Sequence, residues 1–87
     1  MRHLTLPRFW RHYRQLPQEV QQLADRNYEL LKSDPQHPSL HFRRVGAQRQ
    51  LWSVRIGLHY RALAVAKGED IVWFWIGHHA EYDQLLS

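Results

Sequence analysis

The 87-residue chain has no cysteine, so neither a disulfide nor a thiolate nucleophile is available to it. It also has no long hydrophobic run. The longest uninterrupted apolar stretch, Ile71–Ile76, is far short of a membrane span, and residues 1–10 hold nothing like the apolar core of a signal peptide. A cytoplasmic protein is the expectation. Acid is missing from most of the chain. Residues 35–66 contain Arg43, Arg44, Arg49, Arg55 and Arg61 without one Asp or Glu, and residues 1–18 contain Arg2, Arg8, Arg11 and Arg14, again without acid. The net charge is +4, and ten of the twelve cations are Arg, whose planar fork suits bidentate contact with phosphate better than the point charge of Lys. A basic stripe can serve solubility alone. An acid-free run of 32 residues points instead to a polyanionic partner, either nucleic acid or an acidic protein.

Apolar residues make up 44% of the chain and aromatics 13%, which fits a packed domain rather than a disordered segment. One domain over residues 1–87 is expected, with a modest core, because a chain of this size buries only about 60% of its unfolded surface. The pattern is organised around Leu51–Ala66. Two runs rich in β-branched, aromatic and small apolar residues flank Gly57-Leu58-His59, as in a β-hairpin. On the first run Trp52, Val54 and Ile56 alternate with Ser53, Arg55 and Gly57. One face is therefore apolar and the other carries a guanidinium. The second run has Leu63 and Val65 on one face, Tyr60, Ala62, Ala64 and Ala66 on the other, and should lie inside the sheet. Loop length decides where Arg61 points. A three-residue loop puts Arg55 and Arg61 on one face, where they form a phosphate clamp; a two-residue loop opposes them and leaves Arg61 partly buried.

Ahead of the hairpin, Leu4 and Leu6 fit a short first strand. Phe9, Tyr13 and Leu16 form one face of a helix over Pro7–Leu16. Pro17 ends it and opens a second helix, with Val20, Leu23, Ala24, Tyr28, Leu30 and Leu31 largely to one side, which stops at Asp34-Pro35. The two helices should form a hairpin lying on the sheet. Leu40–Val45 is expected as a strand, with Leu40 and Phe42 on one face and His41 and Arg43 on the other. Beyond the polar turn Lys67–Asp70 another strand covers Ile71–Ile76, Gly77 breaks it, and His78–Leu86 forms a short helix or turn.

The order helix, Leu-Pro, helix, Asp-Pro, followed by Trp52-Ser53-Val54-Arg55-Ile56, Tyr60-Arg61-Ala62-Leu63 and Ile76-Gly77-His78-His79-Ala80-Glu81-Tyr82, resembles the RelE/ParE superfamily of bacterial toxins over nearly the whole chain. The resemblance implies an α+β fold with an N-terminal helical hairpin on a small, mainly antiparallel twisted sheet. It also implies the toxin of a type II toxin-antitoxin pair, inhibited by a cognate acidic antitoxin. Most such toxins cleave mRNA on the ribosome without a metal. The ParE branch poisons DNA gyrase instead. Carried onto this chain, Arg55 and Arg61 match the family's sheet arginines, and His79 and Tyr82 match C-terminal positions that take part in cleavage. Relatives that use Lys in the first hairpin strand, or Glu just before it, for proton transfer are not matched here. No Lys, Asp or Glu stands between Pro35 and Ala66.

Metal-free RNA cleavage requires a base for the 2′-hydroxyl, donors for the charged phosphorane and an acid for the 5′-oxygen. His79 is the first candidate for proton transfer, against a structural role at the strand's end; His59 is its rival, although a loop His is usually just solvated. His78 is expected to point elsewhere. Tyr82 either stacks a base, donates to phosphate or closes a core edge. Arg43, Arg44 and Arg49, with Trp52 and His59, are the candidates for holding RNA. No cofactor is expected. Seven histidines, including His37 and His41 four apart and the His78-His79 pair, permit metal binding on count; it is set aside because the 37–41 segment holds two prolines and cannot present its pair from a helix.

Overall fold

The computed structural model describes residues 1–46 and 50–87. Strand β1 (Arg2–Thr5) leads directly into α1 (Pro7–Arg14) and α2 (Gln18–Ser33). A 3₁₀ turn at Pro38–Leu40 precedes β2 (Arg43–Val45), β3 (Leu51–Ile56), β4 (Tyr60–Lys67), β5 (Asp70–His78) and α3 (His79–Leu86). The strands form one sheet in the order β1-β5-β4-β3-β2. Only the β1–β5 pair is parallel. This is the expected α+β arrangement.

Pro7 occupies the first turn of α1, where its missing N–H would have no partner anyway. The helix closes two residues earlier than its apolar spacing implies, because Leu16 precedes Pro17 and is pushed out of the helical region. The Gln15 and Leu16 amides donate instead to the His12 and Tyr13 carbonyls at 3.1 Å. β1 spans only the first half of β5, and α1 packs on β5 as well. Ala24 and Leu31 of α2 are buried with Val54, Ile56, Ala62, Ala64, Ile71, Trp73 and Ile76, so the core lies between the helices and one face of the sheet. A cleft of about 540 Å³ remains beside it, with Leu4, Phe9, Trp10, Tyr28 and Leu31 among its lining. At the first strand's start, Arg2 donates through Nε and Nη2 to both Asp70 carboxylate oxygens at 3.0 and 2.9 Å, which holds the Asp70 carboxyl below its ordinary range.

Two expectations need correction. The strand drawn over Leu40–Val45 is a 3₁₀ turn followed by a three-residue strand, because Pro38 supplies the first turn and His41 adopts φ 44°, ψ 44°, which no strand contains. The predicted faces nevertheless survive: Leu40 is buried and Phe42 packs on the core, while His41 and Arg43 turn to the other side. Gly77 does not break β5 but lies within it, opposite Arg61. A Cβ there would sit 2.5 Å from the Trp75 ring, so glycine is required for close approach rather than for chain reversal. β5 also departs from regular alternation, which would place Trp73 and Trp75 on one face. A register shift between Leu63 and Ala64 pairs Ala64 with Trp73 and Leu63 with Trp75, leaving Phe74 as the extra residue and sending the two indoles to opposite faces. Trp73 joins the core, and its indole N–H donates to His3 Nδ1 at 3.1 Å.

Candidate nucleic-acid interface

The β3–β4 loop has three residues. Gly57 takes φ +63°, and a Cβ there would meet Leu23 at 2.8 Å, so both the turn and the helix above it demand glycine. Ile56 consequently pairs with Tyr60, and Arg55 stands directly opposite Arg61 on the face away from α2. Ser53 lies two residues along on the same face, buried, and Arg43 pairs with it from β2. α3 completes the enclosure from the end of β5. The result is a pocket of about 250 Å³ lined by His41, Arg43, Ser53, Arg55, Arg61, His79, Tyr82 and Asp83.

Each arginine is anchored by a single bond to backbone. Arg55 Nε donates to the Gly57 carbonyl at 3.0 Å and Arg61 Nη1 to the Tyr60 carbonyl at 2.8 Å, which fixes the side chains and leaves other guanidinium N–H groups free. Among the described residues, no ion pair engages Arg43, Arg55 or Arg61. Like charges directly opposite across an antiparallel pair destabilise it by several tenths of a kcal/mol. Repulsion of this kind is relieved by an anion bound between them, and the pocket is the place for one.

His79, the first residue of α3, is tied to the hairpin loop: its amide donates to the His59 carbonyl at 2.8 Å. Its Nδ1 lies 3.9 Å from Asp83 Oδ2 one turn on, which leaves Nε2 turned away from that carboxylate. The larger apolar cleft on the helix side offers no comparable set of groups, since its lining is mainly core side chains with His3, Tyr13 and Asp25 at their edges.

Of the residues marked in the sequence, Arg43, Arg55, Arg61, His79 and Tyr82 are brought together. Trp52 is not, because it faces the core side with its ring 4.8 Å from that of Phe42. Arg44 pairs with Trp52 and shares that side, and Arg49 lies outside the described residues. His59 is exposed on the loop. Sequence reasoning missed Asp83, although its spacing four residues after His79 was a legible signal. It also missed His41, whose left-handed backbone leaves no mark in the sequence. His78 does not point elsewhere: its ring centroid is 4.4 Å from that of His79 and 6.2 Å from that of His59. No helix among the described residues is long and apolar enough to cross a membrane.

The profile of the ParE-like toxin domain matches residues 18–84. Among solved structures, the RelB-RelE antitoxin-toxin complex from Methanococcus jannaschii aligns with a TM-score of 0.74 at 14% identity, covering 97% of this chain and 99% of that one. The RelBE2 toxin-antitoxin complex from Mycobacterium tuberculosis aligns with a TM-score of 0.68 at 17% identity, covering 88% and 95%. A YoeB/ParE toxin from Agrobacterium tumefaciens aligns with a TM-score of 0.67 at 14% identity, covering 91% and 99%. At these identities the likeness is one of fold. No curated protein matches the chain.

Proposed function

The chain belongs to the ParE-like toxin domain family, the toxin side of type II toxin-antitoxin systems, and from that premise we propose that it is an mRNA endoribonuclease whose chemistry needs no metal. The observation that carries the reading is the unpaired Arg55–Arg61 couple facing a His and a Tyr across one small pocket. In the proposed reaction His79 takes the proton of a 2′-hydroxyl, and the 2′-oxygen attacks the adjacent phosphorus. Arg55 and Arg61, with Arg43 at the rim, neutralise the charge gathered on the five-coordinate phosphorus. The P–O5′ bond then breaks, Tyr82 protonates O5′ and recovers its proton from solvent. The products are a 2′,3′-cyclic phosphate and a free 5′-hydroxyl. Asp83 stabilises the imidazolium formed on His79.

Two of the structural relatives are complexes with RelB antitoxins. By the same logic, the partner of this chain is an acidic antitoxin that covers the arginine pocket. Binding should weaken markedly with salt, because charges at this exposed face interact over only about 8 Å at physiological ionic strength. A second reading, poisoning of DNA gyrase without cleavage, has the ParE-like profile in its favour. Incubation with ribosome-bound message on one hand, and with gyrase and DNA on the other, separates the two. Cleaved message ending in a cyclic phosphate supports the nuclease. Intact message together with gyrase trapped on DNA replaces it.

A further inference from the structure

Beside the arginine pocket, and sharing His79 with it, stands a cluster of side chains that has no role in this reaction as a group. His59 on the β3–β4 loop, His78 at the end of β5 and His79 at the start of α3 each place a ring nitrogen within 4.8 Å of the other two. We propose that these three imidazoles form a binding site for a transition cation of the Zn²⁺ type, which imidazole nitrogen holds well.

The frame behind the cluster is fixed. The His79 amide bonds the His59 carbonyl at 2.8 Å, and β4 pairs Tyr60 with His78, so the three Cα positions come from adjoining chain segments held in register. The His59 and His78 rings are nearly parallel, 3° apart, and the edge of Tyr60 closes on His78 with centroids 5.5 Å apart. Zinc–nitrogen bonds of about 2.0–2.1 Å bring tetrahedral ligand atoms to roughly 3.4 Å of one another, so the rings must draw together by somewhat more than 1 Å. His59 can supply that movement, since its side chain is exposed on a loop that starts at Gly57. With Asp83 on the Nδ1 side of His79, Nε2 is the nitrogen left for a metal, the usual carboxylate-histidine-metal order. Three ligands leave a fourth position for water. Arg55 and Arg61 in the adjoining pocket repel a dication, which favours cations bound strongly by nitrogen over those that rely on charge, such as Mg²⁺.

Binding has a structural signature. His78 Nδ1 accepts the Ala80 amide at 3.1 Å and caps α3, so in the neutral ring the proton resides on Nε2. Coordination needs the lone pair that now accepts the Ala80 amide, and a bound cation therefore releases the cap. It also occupies His79. On the proposed function, zinc would then inhibit cleavage rather than support it, and that consequence alone rests on the nuclease reading.

The test is calorimetric titration of the full chain with Zn²⁺, accompanied by amide NMR. One ion per chain is expected, with a displaced Ala80 amide signal. Affinity should fall at least tenfold in His59→Ala and in His78→Ala, and stay unchanged in His37→Ala, whose ring caps the 3₁₀ turn and is no member of the cluster. Absence of stoichiometric uptake, or an affinity in His59→Ala equal to the parent's, overturns the site. Zinc uptake without any cleavage activity to inhibit would leave the site standing and overturn the nuclease.

Discussion

On the helix side of the sheet Val54, Ile56, Ala62 and Ile76 are 2–6% exposed and pack beneath α2; on the other side, the residues that alternate with them, Ser53, Arg55, Arg61 and Gly77, floor a charged pocket and its margin. The same strands thus build both surfaces, one residue out of phase. The helix face gains stability by excluding water from apolar atoms. The pocket face gives some of it up, setting two guanidiniums opposite each other and one histidine in left-handed backbone. Stability and function are thus separable here by the parity of a strand position.

If strand parity separates the two surfaces, removing a pocket group should leave the fold intact. His79→Ala should lower single-turnover cleavage by roughly 10²–10⁴, and Arg61→Ala should abolish growth inhibition. Both should melt within a few degrees of the parent. An Arg61→Ala protein that does not fold would make that arginine part of the core instead. Ile76→Ala is the opposite case. Loss of a side chain only 2% exposed should cost about 2–5 kcal/mol in denaturant unfolding, with cleavage per folded molecule close to the parent's.

A smaller effect sharpens the helix side. Burial lowers the His3 pKa below its usual value, aided by the nearby N-terminus and Lys32, and its neutral ring accepts the Trp73 indole N–H. A depressed folded-state pKa means stability that is present above pH about 6.5 and lost as pH falls through the folded value. Comparing melts at pH 8 and pH 5.5 should show a larger acid-induced drop in the parent than in His3→Gln; equal drops would remove His3 from the account. Smallest of all, Tyr13 is pushed up to about 12, first by burial and then by its bond to Asp25 at 2.8 Å. Since the unfolded chain releases this proton nearer pH 10, stability should decline as pH climbs from 10 to 12. Tyr13→Phe should flatten that decline.

Much of the architecture was legible in residue order. The hairpin strands, both long helices and the sheet face of Arg55 follow from alternation, prolines and apolar spacing, all local signals. What escaped was set by contacts between distant residues. Loop length, and with it the pairing of Arg55 with Arg61, depends on Gly57 fitting under Leu23 of α2. The opposite facing of Trp73 and Trp75 depends on a bulge against β4, and Gly77 reads as a breaker until the Trp75 ring above it is seen. Of the histidine trio the adjacent pair His78-His79 was legible, but His59 was not, because it joins them only across a loop and a strand end.

The parallel pairing of β1 with β5 sets an order of events during synthesis. Arg2 and Asp70, bound to each other in the finished sheet, are 68 residues apart, so β1 cannot find its place until β5 has been added. At about 5–20 residues per second that wait is roughly 3–14 s. α3, which carries His79 and Tyr82, comes later still. A nascent chain therefore holds its arginine hairpin well before the groups proposed to move protons, and on the proposed function it would stay harmless to the ribosome making it until α3 has been added. Arrested chains ending before and after residue 78 provide the check: only the longer ones should protect the β1 amides from exchange, and protection in the shorter ones would show that the first strand does not wait.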